Sequence, residues 1–296
     1  SARRAFRGAP GMLVDVLPQG LKDLVGPDVV FWIGYLTNGK HLAWYESVQY
    51  TLAAMVFGAL IALLLGLLAA AVRHSAPLPF RWIAAAYTNI VRGVPDVLFF
   101  LFFPLAFEQF VEWIWSFQVC TPDSIAAQTA PWPPCPAANW SVTTFQYLIL
   151  ACVSLGIVYG AFAANVITGA LKAVPKGQLE AARAYGLSNM QVITRIHIRQ
   201  MWVYALPGLA NVWMSLVKAT SLLSLLQILD FVTWAQRIGS ANFSRAVGLV
   251  HEDWRWRYYF VLLVFYILVT FISEKVFAII NRHVRRGMPL ADQNAI

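Results

Sequence analysis

The chain has 296 residues, 59% hydrophobic and only 12% charged, with a net charge of +8 and a mean hydropathy of +0.61. Soluble chains carry about 25% charged residues, so that class is excluded. The apolar residues instead come in blocks long enough for a hydrocarbon core, which takes about 20 residues per helix. The excess of Lys and Arg is that of a polytopic membrane protein with basic loops on one face. The basic segments lack interleaved base-stacking aromatics, so nucleic acid is not an expected partner and membrane lipid is.

In chain order, the opening SARRAFRGAPGMLVDV carries arginines but not the apolar core of a cleavable signal. Residues 12–36 hold Asp15, Lys22, Asp23 and Asp28, too many charges for a span. They are expected to lie on the outer surface as an amphipathic segment, making residues 1–43 an extracytoplasmic or interfacial region. A transmembrane domain over 44–282 and a cytoplasmic tail over 283–296 follow. The first span is expected at 51–72, after an aromatic belt of Tyr45 and Tyr50. The second, over 82–115, is long and interrupted by VRGVPD. Pro95 removes a backbone donor and crowds the preceding turn, so Arg92, Gly93 and Pro95 mark a kink or an unwound segment. Arg92 and Asp96 lie four apart and are expected to pair across it.

Residues 117–139 form a loop, stiffened by APWPPCPAAN. Cys120 and Cys135 both fall in it, a candidate disulfide on an oxidising face with no metal-site spacing. Cys152, inside an apolar run, reads as a small buried hydrophobe. The third span, 142–171, has no charge; Gly156 and Gly160 in GIVYG either admit a second helix closely or are a chance pair. A polar insert at 172–205 precedes a fourth span at 206–231, a mixed loop, and a fifth span at 258–277. Five spans place the termini on opposite sides. Putting the 73–81 turn, the insert and the C-terminus in the cytoplasm gathers Arg73, Arg81, Lys172, Lys176, Arg183, Arg195, Arg199, Arg282, Arg285 and Arg286 there. It leaves 118–139 without Lys or Arg. Arg3, Arg4 and Arg7, and Arg237, Arg245, Arg255 and Arg257, count the other way.

The insert reads GQLEAARAYGLSNMQVITRIHIRQ. Gly186 is a natural stop for a helix begun near Pro175, and Ser188 with Gln191 is a capping-box signature for a second. Two short helices joined by a tight glycine turn would form a compact cytoplasmic knob, suited to being gripped by a soluble partner.

GQLEAARAYGLS resembles the EAA loop of ABC-importer permeases, whose pattern is Glu-Ala-Ala, three residues, Gly, then an apolar helix. FRWIAAAYTNIVRGVPDVLFFLFF is similar to the family's second-span segment with Arg-Gly-Thr-Pro, with Val94 for the Thr. GALKAVPKGQLEAARAYGLS and LVKATSLLSLL resemble the polar amino acid (histidine, arginine, opine) branch. The four matches follow one another in order and spacing across residues 51–282. The resemblance implies an all-α, five-span fold with a cytoplasmic coupling helix. It implies that Glu180, Ala181, Ala182 and Gly186 meet a separate ATPase. It also implies a bacterial inner-membrane permease subunit that works with a second permease chain, two ATPase subunits that bind the ATP and Mg, and a periplasmic solute-binding protein. The substrate would be a polar amino acid or a derivative such as an opine. Four departures bear on the substrate: Asn165 stands where the branch usually has Glu, HIRQ stands where it reads Leu-Pro, the loop before the last span is long, and the loop around Cys120 and Cys135 is rich in proline.

Among polar residues inside the spans, Lys218 carries a charge that costs at least about 2.5–3.5 kcal/mol at the bilayer centre, so it faces protein or water. Either it borders the substrate pathway with Thr220, Ser221 and Asn165, or it is a structural tie. Glu108 is a further candidate, and Asp230 is expected near the outer end of its span, in contact with water. No phosphate-cradling loop, His/Cys/acid cluster or nucleophile–base spacing is present, so no catalytic residue, metal site or resident cofactor is expected. A self-contained secondary carrier or channel gated by Lys218 and Asp230 is the alternative. It would be favoured by inverted repeats, and no second copy of the RGVP or KATS segments occurs.

Overall fold

The computed structural model describes residues 18, 27–127, 131–226, 228–243 and 249–285. Most of the segment before residue 27 and the tail beyond 285 lie outside these, and with them the expected surface placement of residues 12–26. The helices are α1 (Pro27–Leu36), α2 (Gly39–Ser75), α3 (Leu78–Gly93), α4 (Asp96–Val119), α5 (Pro122–Ala126), α6 (Thr144–Ala173), α7 (Lys176–Ala184), α8 (Asn189–Leu226), α9 (Phe231–Gly239) and α10 (Arg255–Val284). Five of them, α2, α4, α6, α8 and α10, are long and apolar enough to cross a membrane. The expected fold class is therefore the observed one.

The bounds differ from the sequence reading where a local signal lies outside the apolar block. α2 begins at Gly39, well before residue 51, because Asn38 caps it: its Oδ1 accepts from the His41 N–H at 3.0 Å. The second span is two helices rather than one kinked helix. Val94, forced out of the helical region by the proline after it, is extended at φ −90°, ψ 134° and ends α3. Pro95 then starts α4, and only α4 is long enough to span. The fourth span begins at Asn189 instead of 206, inside the polar insert. It runs through a π-helical stretch (Val192–His197) into Ile198–Ala219 and ends in a 3-10 stretch, Thr220–Leu226. The second helix of the insert is thus the start of a span, not a separate short element.

The chain divides into two compact units, one of the described residues through Ala53 with Leu223–Ile267, the other of Ala54–Leu222 with the residues from Leu268 onward. In the second unit α6 is the central helix: 72% of its span is buried, against 33% or less in each other span. α3, α4 and α8 pack on it, and α2 approaches at Gly156 and Gly160. A Cβ at Gly160 would lie 3.0 Å from the Leu65 Cβ and one at Gly156 would collide with Ile61. The two glycines of GIVYG therefore serve close helix approach. At one end of α6 a core of Ala70, Ile167, Ala170, Val174, Met201 and Ala205 ties α2, α6 and α8 together.

The first unit is built on Trp44, Phe231, Ala235, Ile238, Tyr258 and Leu262. The Trp44 indole stacks on Phe231 at 5.1 Å and donates to its carbonyl at 3.1 Å. α1 is pinned here by Tyr35, whose hydroxyl meets that of Tyr258 at 3.2 Å. Asp230, expected in water, is fully buried and caps α9: its Oδ1 accepts from the Thr233 N–H at 2.9 Å and from the Thr233 hydroxyl at 2.6 Å. The cap outweighs solvation because it satisfies donors that the start of a helix otherwise leaves orphaned.

Candidate functional site

The insert folds as α7, a turn and the start of α8. Gly186 follows α7 with φ +83°, the left-handed conformation that terminates a helix with least strain in glycine. The Leu187 N–H closes the turn on the Ala182 carbonyl at 3.2 Å. Ser188 and Gln191 form the capping box: the Gln191 Oε1 accepts from the Ser188 N–H at 2.9 Å, and the Ser188 Oγ from the Gln191 N–H. Of the four residues assigned to partner contact, Glu180, Ala181 and Gly186 are exposed. Ala182 faces inward, only 9% exposed. Beside them stand two apolar side chains the sequence reading passed over, Tyr185 at 88% and Met190 at 70% exposed. Aromatic and Met side chains this exposed on a turn are what interfaces recruit. Their position either side of Gly186 was the signal available for finding them.

The knob is fastened to the spans at His197, the last π-helical residue. It is buried, and its Nε2 lies 2.9 Å from the Leu171 carbonyl near the end of α6. Single π-helical turns concentrate at functional sites because they shift helix register without breaking the helix. Here that shift separates the exposed knob from the membrane part of α8.

Along α6, polar groups of α2, α3 and α4 converge. Arg92 and Asp96 do not pair with each other, because the chain between them is extended and they sit on different helices. Instead the Arg92 guanidinium lies over the Phe162 ring, 5.3 Å from its centroid, and the Asp96 Oδ2 accepts from the Tyr159 hydroxyl at 2.9 Å. The break at Gly93–Pro95 is thus held from both sides by neighbouring rings of α6. Asn165 accepts at Oδ1 from the Arg73 Nη1 at 2.7 Å, and Tyr87 donates to the Ile157 carbonyl at 2.7 Å.

The residues grouped around Lys218 each have a different setting. Lys218 is exposed at the end of the α-helical part of α8, and no acid or acceptor among the described residues meets its ammonium. Thr220 is buried and donates to the Val217 carbonyl at 2.7 Å. Ser221 donates to the carbonyl of Lys218 itself, also at 2.7 Å. Both hydroxyls therefore turn back on the helix rather than standing beside the ammonium as donors.

Cys120 and Cys135 are joined in a disulfide with Cα atoms 5.8 Å apart. The loop they close is seated on a carboxylate with no sequence signature. Glu112, only 4% exposed, accepts from the Trp132 indole at 2.6 Å and from the Trp140 N–H at 2.9 Å, one on either side of Cys135. One turn earlier, Glu108 accepts from the Tyr147 hydroxyl at 3.0 Å.

Five helical spans, a central helix lined by small residues and an exposed glycine-turned knob between two spans define a multi-pass membrane protein of the transport-permease class. The chain belongs to the family of binding-protein-dependent transport system inner membrane components, whose model matches residues 62–286. It is 27% identical over 256 residues to the octopine transport system permease protein of Rhizobium radiobacter, an alignment covering 86% of this chain and 96% of that protein. It is 30% identical over 248 residues to the histidine/lysine/arginine/ornithine transport system permease protein of Salmonella typhimurium, covering 83% and 95% respectively. Among solved structures, a crystal structure of an amino acid ABC transporter with histidines shares the fold. Its TM-score is 0.59 at 20% identity, over 81% of this chain and 94% of that one.

Proposed function

We propose that this chain is the permease subunit of an ATP-driven importer for an amino acid or an amino-acid derivative of the opine type. It forms half of the pathway with a second permease chain. It receives solute from an external binding protein and is driven by ATPase subunits that grip the knob. The observation that carries the reading is the exposed knob itself. Glu180, Ala181 and Gly186 share its surface with Tyr185 and Met190, while its root is anchored to α6 through His197. Force applied at this turn reaches the end of the central helix directly. Names borne by the relatives support the substrate class.

The insert and the C-terminus face the cytoplasm in this reading, and the disulfide loop faces outward. Lys218 supports a pathway role by its exposure: an ammonium on a span with no partner among the described residues is suited to meet the second permease or water, because lipid contact is costly. Reconstitution of the permease pair with its ATPase in lipid nanodiscs tests the function. ATP hydrolysis should rise on adding the loaded binding protein. Hydrolysis indifferent to this chain, or solute uptake without the ATPase, would replace the reading with the self-contained carrier.

A further inference from the structure

A cleft of about 550 Å³ opens where α2 ends, between the start of α3 and the end of α6. Arg73, Arg81 and Lys172 line it together with Asn89, Thr168 and Trp82, and no acidic side chain does. The α3 residues recur as Leu78, Arg81, Trp82, Ala85, Ala86 and Asn89, one continuous helical stripe. Thr168 and Lys172 stand one turn apart on α6. Three cations around one cavity repel one another unless an anion lies among them. The inward-reaching cation is not neutralised among the described residues: Arg73 donates to two uncharged acceptors, the amide of Asn165 at 2.7 Å and the hydroxyl of Thr88 at 3.4 Å. Among the described residues no carboxylate forms an ion pair with Arg73, Arg81 or Lys172.

The surroundings select the form of the anion. Trp82, 71% exposed, and Leu78 edge the cleft, as an amphipathic indole does at the level of headgroups. One residue beyond Asn89, an almost wholly apolar groove of about 620 Å³ begins at Ile90 and runs along Val94, Leu98, Phe99 and Phe102. Arg81 to Ile90 is a rise of roughly 13 Å along α3, which carries a ligand from a charged head to an apolar tail. A free inorganic anion has no use for that groove.

We propose that the cleft binds the phosphate of an anionic membrane phospholipid, with an acyl chain laid in the adjoining groove. The bound lipid neutralises Arg73, Arg81 and Lys172 and braces the short helix α3, 16 residues long, against α6. Basic pockets between membrane helices take such headgroups by charge-assisted hydrogen bonds.

The test is amine labelling of Lys172, quantified by mass spectrometry, in the assembled transporter reconstituted into nanodiscs. In phosphatidylglycerol, labelling should be about tenfold slower than in phosphatidylcholine, the effect of a modest differential binding energy. Arg81→Gln should abolish most of that protection and Arg81→Lys should restore it, with assembly confirmed by co-purification of the ATPase. Equal labelling in both lipids overturns the proposal. So does protection by inorganic phosphate in phosphatidylcholine, which would mark a free-phosphate site. Protection in every lipid also overturns it, by showing that the second permease chain covers the cleft.

Discussion

Arg73, in the last turn of α2, donates from Nη1 to the Oδ1 of Asn165 on α6 at 2.7 Å. This bond joins two elements distant in sequence through a neutral acceptor, so the guanidinium keeps its full charge while its position is fixed. Asn165→Leu removes the nearer acceptor and leaves only Thr88 at 3.4 Å. Loss of a partner by a part-buried charged donor costs about 1–3 kcal/mol, and a lower midpoint of thermal unfolding in nanodiscs should report it. Asn165→Asp should shift the midpoint the other way, since a carboxylate adds the opposite charge on the acceptor side of a bond that is so far charged on the donor side alone. The same variant should weaken the lipid protection of Lys172, because Arg73 is then neutralised from within.

Gly186 is required for its backbone and not for want of space: no atom lies within 4 Å of a Cβ built there, but φ is +83°. A β-branched residue in that conformation costs about 1–2 kcal/mol. Gly186→Val should therefore reopen the turn between α7 and α8, abolish solute-stimulated ATP hydrolysis and leave the amount of protein in the membrane unchanged. Gly186→Asn, which tolerates the left-handed region, should keep most of the activity. Full activity in the valine variant would detach this turn from coupling.

Tyr185 and Met190 flank that glycine and are the most exposed large apolar side chains of the knob. Tyr185→Ala and Met190→Ala should each reduce co-purification of the ATPase, by about 1–2 kcal/mol or roughly tenfold in affinity if they are anchors of the contact. Neither should change thermal stability of the free permease, because neither side chain is buried in it. A fall in stability with undiminished ATPase binding would be the opposite outcome.

What was legible in the sequence was whatever a few consecutive residues decide. The five apolar blocks, the turn at Gly186, the Ser188–Gln191 box and the interruption at Gly93–Pro95 each follow from local backbone preference. Errors came where the deciding partner was remote or unlike the expected one. Arg92 and Asp96 are four apart and read as a pair, but the proline that marks the site also unwinds the chain between them and sends each to α6. Glu112 was invisible because nothing in its neighbourhood announces that Trp132 and Trp140 will fold back onto it. The apolar length of a span gave its presence but not its start. The caps at Asn38 and Ser188 lie in polar sequence, before the lipid-facing stretch begins.

Asp230 presents a capping carboxylate whose other oxygen, Oδ2, is buried with no hydrogen-bond partner among the described residues. Burial pushes its carboxyl above the usual range, against the lowering effect of the bonds from Thr233. A raised folded-state pKa means that this group's contribution to stability is complete below the unfolded value and declines as pH rises through the folded one. Asp230→Asn keeps an Oδ1 acceptor for Thr233 and removes the charge. Its thermal midpoint at neutral pH should equal or exceed that of the wild type and lose part of the wild type's pH dependence. Asp230→Ala removes the cap and should cost about 1–2 kcal/mol. Were Asp230→Asn to abolish transport without a stability change, the carboxylate would have a role beyond capping.

Cys120 and Cys135 close a loop fifteen residues long, counted by their separation in sequence, and a cross-link of that span is worth about 3 kcal/mol through the unfolded chain. The double variant Cys120→Ser/Cys135→Ser should unfold at a lower temperature yet retain the loop's seat on Glu112. Sidedness can be read in intact cells: an impermeant thiol reagent should label the pair only after treatment with an impermeant reductant. Labelling that needs cell lysis would invert the topology.

Lys218 separates a pathway role from a structural one. Its ammonium is exposed and unmatched among the described residues, so Lys218→Met, nearly equal in length and uncharged, removes no bond among them and should leave the permease folded. If the ammonium meets the carboxylate of a passing amino acid, solute uptake by the assembled transporter should fall at least tenfold, for the loss of an interaction of about 1.4 kcal/mol. Hydrolysis without solute should continue at its ordinary rate, since the knob and its anchor at His197 are untouched. Thr220→Val is the companion measurement, because its hydroxyl is buried and bonded to Val217 rather than directed at the Lys218 surface. It should alter stability and spare uptake. Failure of the Lys218→Met chain to assemble with the second permease would instead make the ammonium a tie to an acid of that subunit. Unchanged uptake with normal assembly would remove Lys218 from the pathway.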